Sequence, residues 1–163
     1  MPELKPYRRI LALIRFDATD GVTAEKALLL ARLNRAQLDF LHLIEPDGAL
    51  DGGYTRGGTE IAARALEAAA LRRLDFLAAH LGAGEARCTA VYGPPRQAFQ
   101  RHVAAAQPDL VVVGEPSDYV DGPHDVLVLS APRPPRGGRL RDLLMGLFGT
   151  RPLLRAHTLF WRG

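Results

Sequence analysis

Four short, unbroken apolar runs restrict the folds open to this chain: residues 10–14 (ILALI), 38–44 (LDFLHLI), 86–92 (ARCTAVY) and 110–113 (LVVV). None alternates cleanly between apolar and polar, so each reads as a strand covered on both faces, the pattern of a parallel sheet. Parallel neighbours need long crossovers, and the first three gaps are long enough for helices. Thr23 is placed to cap the first helix, whose apolar face is Ala24, Ala27, Leu28 and Ala31. The second opens at Thr59 and runs to about Leu81, with Ile61, Leu66, Ala70, Leu74, Leu77 and Leu81 inward. The third follows Gly93-Pro94-Pro95, proline suiting a first helical turn, and buries Phe99 and Val103. The expected fold is α/β: a single-domain open parallel sheet of about five strands over residues 7–130, with helices on both faces.

The fifth strand poses the problem. A further apolar run, 126–129 (VLVL), follows the fourth by only Gly114 to Asp125, a stretch with Pro116, Gly122 and Pro123 and no helical period. One reading drops the fourth helix and makes 126–129 the last strand. The other treats 114–130 as an insertion, with RLRDLLMGLF (139–148) as the displaced helix and TLFW (158–161) as the last strand. The first is favoured because DVLVLSAP is the stronger strand signal.

Residues 131–163 differ in composition from the rest. They start with a Pro- and Arg-rich linker, and 133–163 hold seven Arg against one acid, Asp142, a net of +6 in a chain whose total is +3. Everything before them is therefore net −3, which argues against nucleic acid as a partner. Leu140, Leu143, Leu144, Leu147 and Phe148 fall at helical spacing in a basic helical tail. Residues 139–148 fit a membrane-surface helix. They equally fit a helix packed on a sheet face or across a dimer, and five large apolar residues in ten suit packing better. The opening MPELKPYRR has no apolar core of a secretory signal, and Cys88 is the one cysteine, so a reducing cytoplasm is the expected location.

Several stretches together resemble the universal stress protein family: RRILALI, EKALLLARLNRAQLDFLHLIEPD, VYGPPRQAF and AAAQPDLVVVG, in the family's order and spacing over residues 7–114. The resemblance implies a five-stranded sheet, a homodimer and, in one branch, an adenine-nucleotide site with ATP or AMP as the ligand. In that branch an aspartate at the end of the first strand lies near the base and ribose. A glycine loop, Gly-x2-Gly-x9-Gly-Ser/Thr, follows the fourth strand, where bare backbone and a helix N-terminus receive phosphate. This chain departs from the pattern. Arg15 falls where the aspartate would be, with Asp17 two positions on. Gly114 matches the first loop glycine, but Glu115 and Pro116 follow and Ser117 stands at the second glycine position. Leu147 replaces the Ser/Thr after Gly146. Arg15, Asp17, Gly114, Glu115 and Ser117 thus outline a degenerate nucleotide site, and the departures weigh against ATP or AMP.

Nothing else in the sequence outweighs this expectation. The loop DGGYTRGG (51–58) lacks the Lys-Ser/Thr of a phosphate-binding Walker motif. The five histidines show no metal spacing, and His42 reads as a strand-end residue. Cys88 reads as a small buried hydrophobe. Asp118, Asp121 and Asp125 read as turn acids, and Asp17 and Asp20 as caps of the first helix with a chance of ligand contact at a strand end. The functional expectation is a stress-response-type, non-enzymatic homodimer whose nucleotide site is lost or reshaped. The alternatives are an ATP- or AMP-binding regulator and a peripheral adaptor acting through the tail.

Overall fold

The computed structural model describes residues 5–46 and 56–129; the expectations for the loop at 47–55 and for everything from 130 on, the 139–148 segment and TLFW included, lie outside the described residues. Five strands, β1 (Arg9–Leu13), β2 (Gln37–Ile44), β3 (Arg87–Tyr92), β4 (Leu110–Val113) and β5 (Asp125–Val128), alternate with α1 (Asp20–Asn34), α2 (Arg56–His80) and α3 (Pro95–Ala106). They form one sheet in the order β3-β2-β1-β4-β5, every pair parallel. Asp109 ties its centre together: its carboxylate accepts the Arg8 and Arg9 N–H groups at 2.7 and 2.8 Å, so the chain entering β4 is clamped to the start of β1.

The period-two geometry of a strand divides the side chains between two cores. Ile10, Ala12, Phe40 and Val112 pack with Ala24, Ala27 and Ala31 of α1 and Leu74 and Leu77 of α2. Leu11, Leu13, Leu41, Val111 and Val113 pack with Phe99 and Val103 of α3. Helices therefore cover both faces, as the unbroken apolar strands require. The alanines of α1 let that helix lie close against the sheet.

β5 is the strand expected at 126–129, and the fourth helix is absent: eleven residues, 114–124, link β4 to β5 with no helical turn among them. The link folds onto the α3 face instead. Val120 is buried in the α3-side core and Tyr119 packs against it. The rings of Tyr119 and His124 both meet Phe99 edge-on, each with centroids 6.0 Å apart. Arg96 of α3 holds the link from outside, donating to the Asp118 carbonyl at 2.9 Å and facing the Asp118 and Asp121 carboxylates at 3.6 and 4.0 Å. Gly122 is needed where the link tightens, since a Cβ there would lie 2.6 Å from the His124 ring. Asp125 accepts the Tyr7 hydroxyl at 2.9 Å. The three turn acids thus have protein partners.

Two helix expectations need correction. Thr23 does not cap α1: the helix starts at Asp20, with Thr19 at its cap position, and Thr23 is a buried interior residue whose hydroxyl donates to the Thr19 carbonyl at 3.0 Å. α2 starts three residues before Thr59, and Ile61 and Leu66 are 72% and 42% exposed rather than inward. A helix of 25 residues is roughly 37 Å long, against roughly 20 Å for the six-residue β3 it packs on. Only its second half, with Ala70, Leu74, Leu77 and Ala78 buried, has sheet beneath it.

Candidate functional site

In this strand order the chain leaves β1 toward β2 on one side and leaves β4 toward β5 on the other. The carboxyl ends of β1 and β4 therefore flank the switch point, where open α/β sheets bind their ligands. Four of the five sequence-marked residues meet there. Arg15 follows β1 and Glu115 follows β4, and their side chains approach at 3.8 Å, both well exposed. An exposed pair at this distance contributes at most about 1 kcal/mol. Its consequence is electrostatic: the cation nearest the switch point already faces a carboxylate.

Gly114 ends β4 under the start of α1. A Cβ on it would lie 2.4 Å from the Thr19 hydroxyl and 3.0 Å from that of Thr23. The glycine is required for strand–helix packing, whatever a ligand would ask of it. Asp17 is engaged locally, its carboxylate accepting the Thr19 N–H at 2.7 Å and the Thr19 hydroxyl at 2.6 Å, an aspartate turn leading into α1. β1 ends at Leu13, so the strand has not shifted to bring Asp17 into the position Arg15 occupies. Ser117 is half-buried in the turn that carries the chain away, its carbonyl accepting the Val120 N–H at 3.4 Å; no contact joins it to the other four.

Asp20 is the hidden organiser of this end. It is buried, and its carboxylate accepts the Arg15 N–H at 2.9 Å. Burial pushes its carboxyl above the usual range, while backbone N–H groups of the strand end pull it back. Beside it the backbone turns sharply. Phe16 has φ +62°, a left-handed conformation that costs an aromatic residue of order 1 kcal/mol. Its ring stacks on His42 of β2 with centroids 3.9 Å apart, and the Arg73 guanidinium of α2 lies 4.3 Å from its centre. His42 Nδ1 is 2.8 Å from the Ile14 carbonyl, which can only accept, so Nδ1 carries the proton. Burial pushes the His42 imidazole below its ordinary value, the bond to Ile14 opposes this, and Arg73 adds to the lowering. Nothing in the sequence marks Phe16 or Arg73, since a left-handed turn has no signal when it falls on phenylalanine.

The other reactive groups are quiet. The Cys88 thiol is pushed up to about 12, by burial first and then by its hydrogen bond to Asp75, so it stays protonated. Among the described residues no group of three or more His, Cys, Asp or Glu could hold a metal ion, and no helix is long and apolar enough to cross a membrane. Two grooves, of about 640 and 690 Å³, open at the amino ends of the strands, one beside Arg32, Arg35 and Gln37 and the other beside Gln107, Asp109 and Gly122. They lie at the opposite end of the sheet from the switch-point crevice.

The universal stress protein family model matches residues 6–122, most of the chain. The chain belongs to the universal stress protein family. Solved structures agree on the fold. A universal stress protein in complex with cAMP is 18% identical, with TM-score 0.53, over 77% of this chain and 98% of its own. A member from Burkholderia pseudomallei is 21% identical, with TM-score 0.55, over 77% and 97%. An Arabidopsis thaliana member with AMP bound is 11% identical, with TM-score 0.51, over 77% and 93%. No curated protein matches the sequence. Between β4 and β5 this chain has the 114–124 link and no helix.

Proposed function

We propose that this universal stress protein is a non-enzymatic, stress-response homodimer of the cytoplasm whose adenine-nucleotide site has been reshaped so that it no longer cradles a triphosphate. The observation that carries the reading is the eleven-residue link from β4 to β5. A phosphate loop works because the helix behind it offers free N–H groups and the positive end of its dipole. Here no helix lies between Gly114 and β5, Pro116 has no N–H to give, and the Glu115 carboxylate faces Arg15. In this reading Arg15, Asp17, Gly114, Glu115 and Ser117 rim what remains of the site, 7–130 is the universal-stress-protein-like domain and 131–163 a Pro/Arg-rich linker and amphipathic tail.

The homodimer is supported by β5, an edge strand whose Val126, Leu127 and Val128 are 41%, 36% and 37% exposed. Such an edge invites a partner strand. Light scattering at micromolar concentration should give twice the chain mass; a monomer mass would remove the dimer from the reading.

The deciding experiment is calorimetric titration with ATP and AMP, with and without magnesium. ATP should bind with a dissociation constant above roughly 100 μM, less than about 5.5 kcal/mol of binding free energy. Tight ATP binding that is lost in Arg15→Ala or Asp17→Ala would overturn the proposal. A second reading, a regulator that binds a nucleoside monophosphate, draws on the two relatives solved with cAMP and AMP. A single phosphate needs no long cradle, and Arg15 could pair with one. AMP binding well above ATP would favour it.

A further inference from the structure

The stack around Phe16 has the form of a ligand site with its ligand already in place. His42 lies 3.9 Å and Arg73 4.3 Å from the centre of the same ring. One group comes from β2 and the other from α2, so the Phe16 ring fills the space where strand and helix present an imidazole and a guanidinium to it. Both are groups that stack on aromatic heterocycles. Burial pushes the His42 imidazole below its ordinary value against the opposing bond to Ile14, and Arg73 adds to the lowering, which favours the uncharged ring beside the guanidinium.

The ring comes from an unexpected quarter. Phe16 is neither on a strand nor on a helix; it stands between Arg15 and Asp17, at the carboxyl end of β1, beside the switch point. To place its side chain between β2 and α2 the backbone adopts φ +62°, which a phenylalanine avoids unless something holds it there. The ring is only partly buried, lying over the core rather than inside it. A side chain serving only to complete a core would be expected from a strand or a helix face.

We infer that Phe16 is a built-in occupant of a ring-stacking slot between His42 and Arg73, and that a purine nucleoside enters this slot only by displacing it. The inference rests on the reading of this strand end as a reshaped nucleotide site, and adds its regulation: the slot for the base is closed by the protein's own ring. Affinity is reduced by the fraction of molecules in which Phe16 is out, so removing the ring restores it.

Adenosine is the probe, because it has no phosphate and its binding is independent of any phosphate cradle. Phe16→Gly is the first variant, since glycine holds φ +62° without strain and keeps the turn. Phe16→Leu is the second, filling the space without a flat face. Calorimetry on the full chain should show adenosine binding at least ten-fold tighter to Phe16→Gly than to the wild type. Phe16→Leu should fall between them, and the gain should vanish when His42→Ala is added to Phe16→Gly. Unchanged or weaker adenosine binding in Phe16→Gly would overturn the inference, weaker binding identifying the ring as a platform for the base. ATP binding to the wild type tests the other reading separately. Tight ATP binding with a ten-fold adenosine gain in Phe16→Gly would sink the lost cradle and leave the occupied slot standing.

Discussion

β4 and β5 are neighbours of nearly the same composition, LVVV and DVLV, hydrogen-bonded in register along their whole length, yet one is fully buried and the other exposed at every position. The difference lies in what surrounds them. β4 has strands on both sides, α1 over one face, and α3 with the 114–124 link over the other. β5 is at the edge among the described strands, and no helix lies in the link that joins it to β4. An apolar run states that a strand can be buried; only its neighbours decide whether it is.

The largest effect expected from this contrast is a buried charge. Val112→Asp places a carboxylate with no partner where the side chain is fully buried, at a cost of several kcal/mol, and should abolish soluble folded protein. Leu127→Asp, its register partner on β5, should fold with a melting temperature within a few degrees of the wild type and, if the proposed dimer pairs through β5, give a monomer mass. Equal losses at both positions would show that β5 is covered after all.

Next in size is Gly114→Ala. Its methyl group meets the Thr19 hydroxyl at 2.4 Å, so overpacking should cost about 1–3 kcal/mol in denaturant unfolding. Adding Thr19→Ala should return most of that loss. No recovery would mean that the Thr23 hydroxyl, 3.0 Å from the added methyl, sets the limit instead.

The link itself is tested by Arg96→Ala, which removes the bond to the Asp118 carbonyl and two exposed ion pairs. The expected loss is about 1 kcal/mol or less, with faster amide exchange confined to the 114–124 segment. Global destabilisation would show the link to be as integral as a helix.

The smallest effect compares two acids. Asp39 on β2 is buried with Oδ1 unpartnered, whereas Asp125 on β5 is exposed and accepts Tyr7. Burial pushes the Asp39 carboxyl upward, and the charges of Arg87, Arg9 and His102 oppose it. A carboxyl raised in the folded state contributes stability below its unfolded pKa and loses it as pH rises through the folded value. Asp39→Asn should therefore melt higher than the wild type at pH 7, with the advantage fading as pH falls toward 4; Asp125→Asn should differ little at either pH. An Asp39→Asn protein less stable at pH 7 would mean that Arg87 and Arg9 outweigh burial.

The chain by itself determined the sheet. Unbroken apolar runs and crossover lengths placed all five strands to within about a residue, because burial on both faces leaves no other pattern. Of the two readings the sequence left open after Gly114, the favoured one, with no helix before 126–129, is the one the link shows, since 114–125 holds two prolines and no helical period. The resemblance to the universal stress protein family put Arg15, Glu115 and Gly114 in one site, with Arg15 and Glu115 indeed meeting. Only the tertiary structure decided the rest. Ile61 and Leu66 are exposed because α2 outruns the sheet beneath it, and a helical period cannot report where a sheet ends. Gly114 is fixed by a hydroxyl 95 positions away in the chain, a contact set by how closely α1 approaches β4. Phe16 stands in its stack because β2 and α2 bring His42 and Arg73 to one ring, a juxtaposition of residues 26 and 57 positions from it that no local pattern encodes.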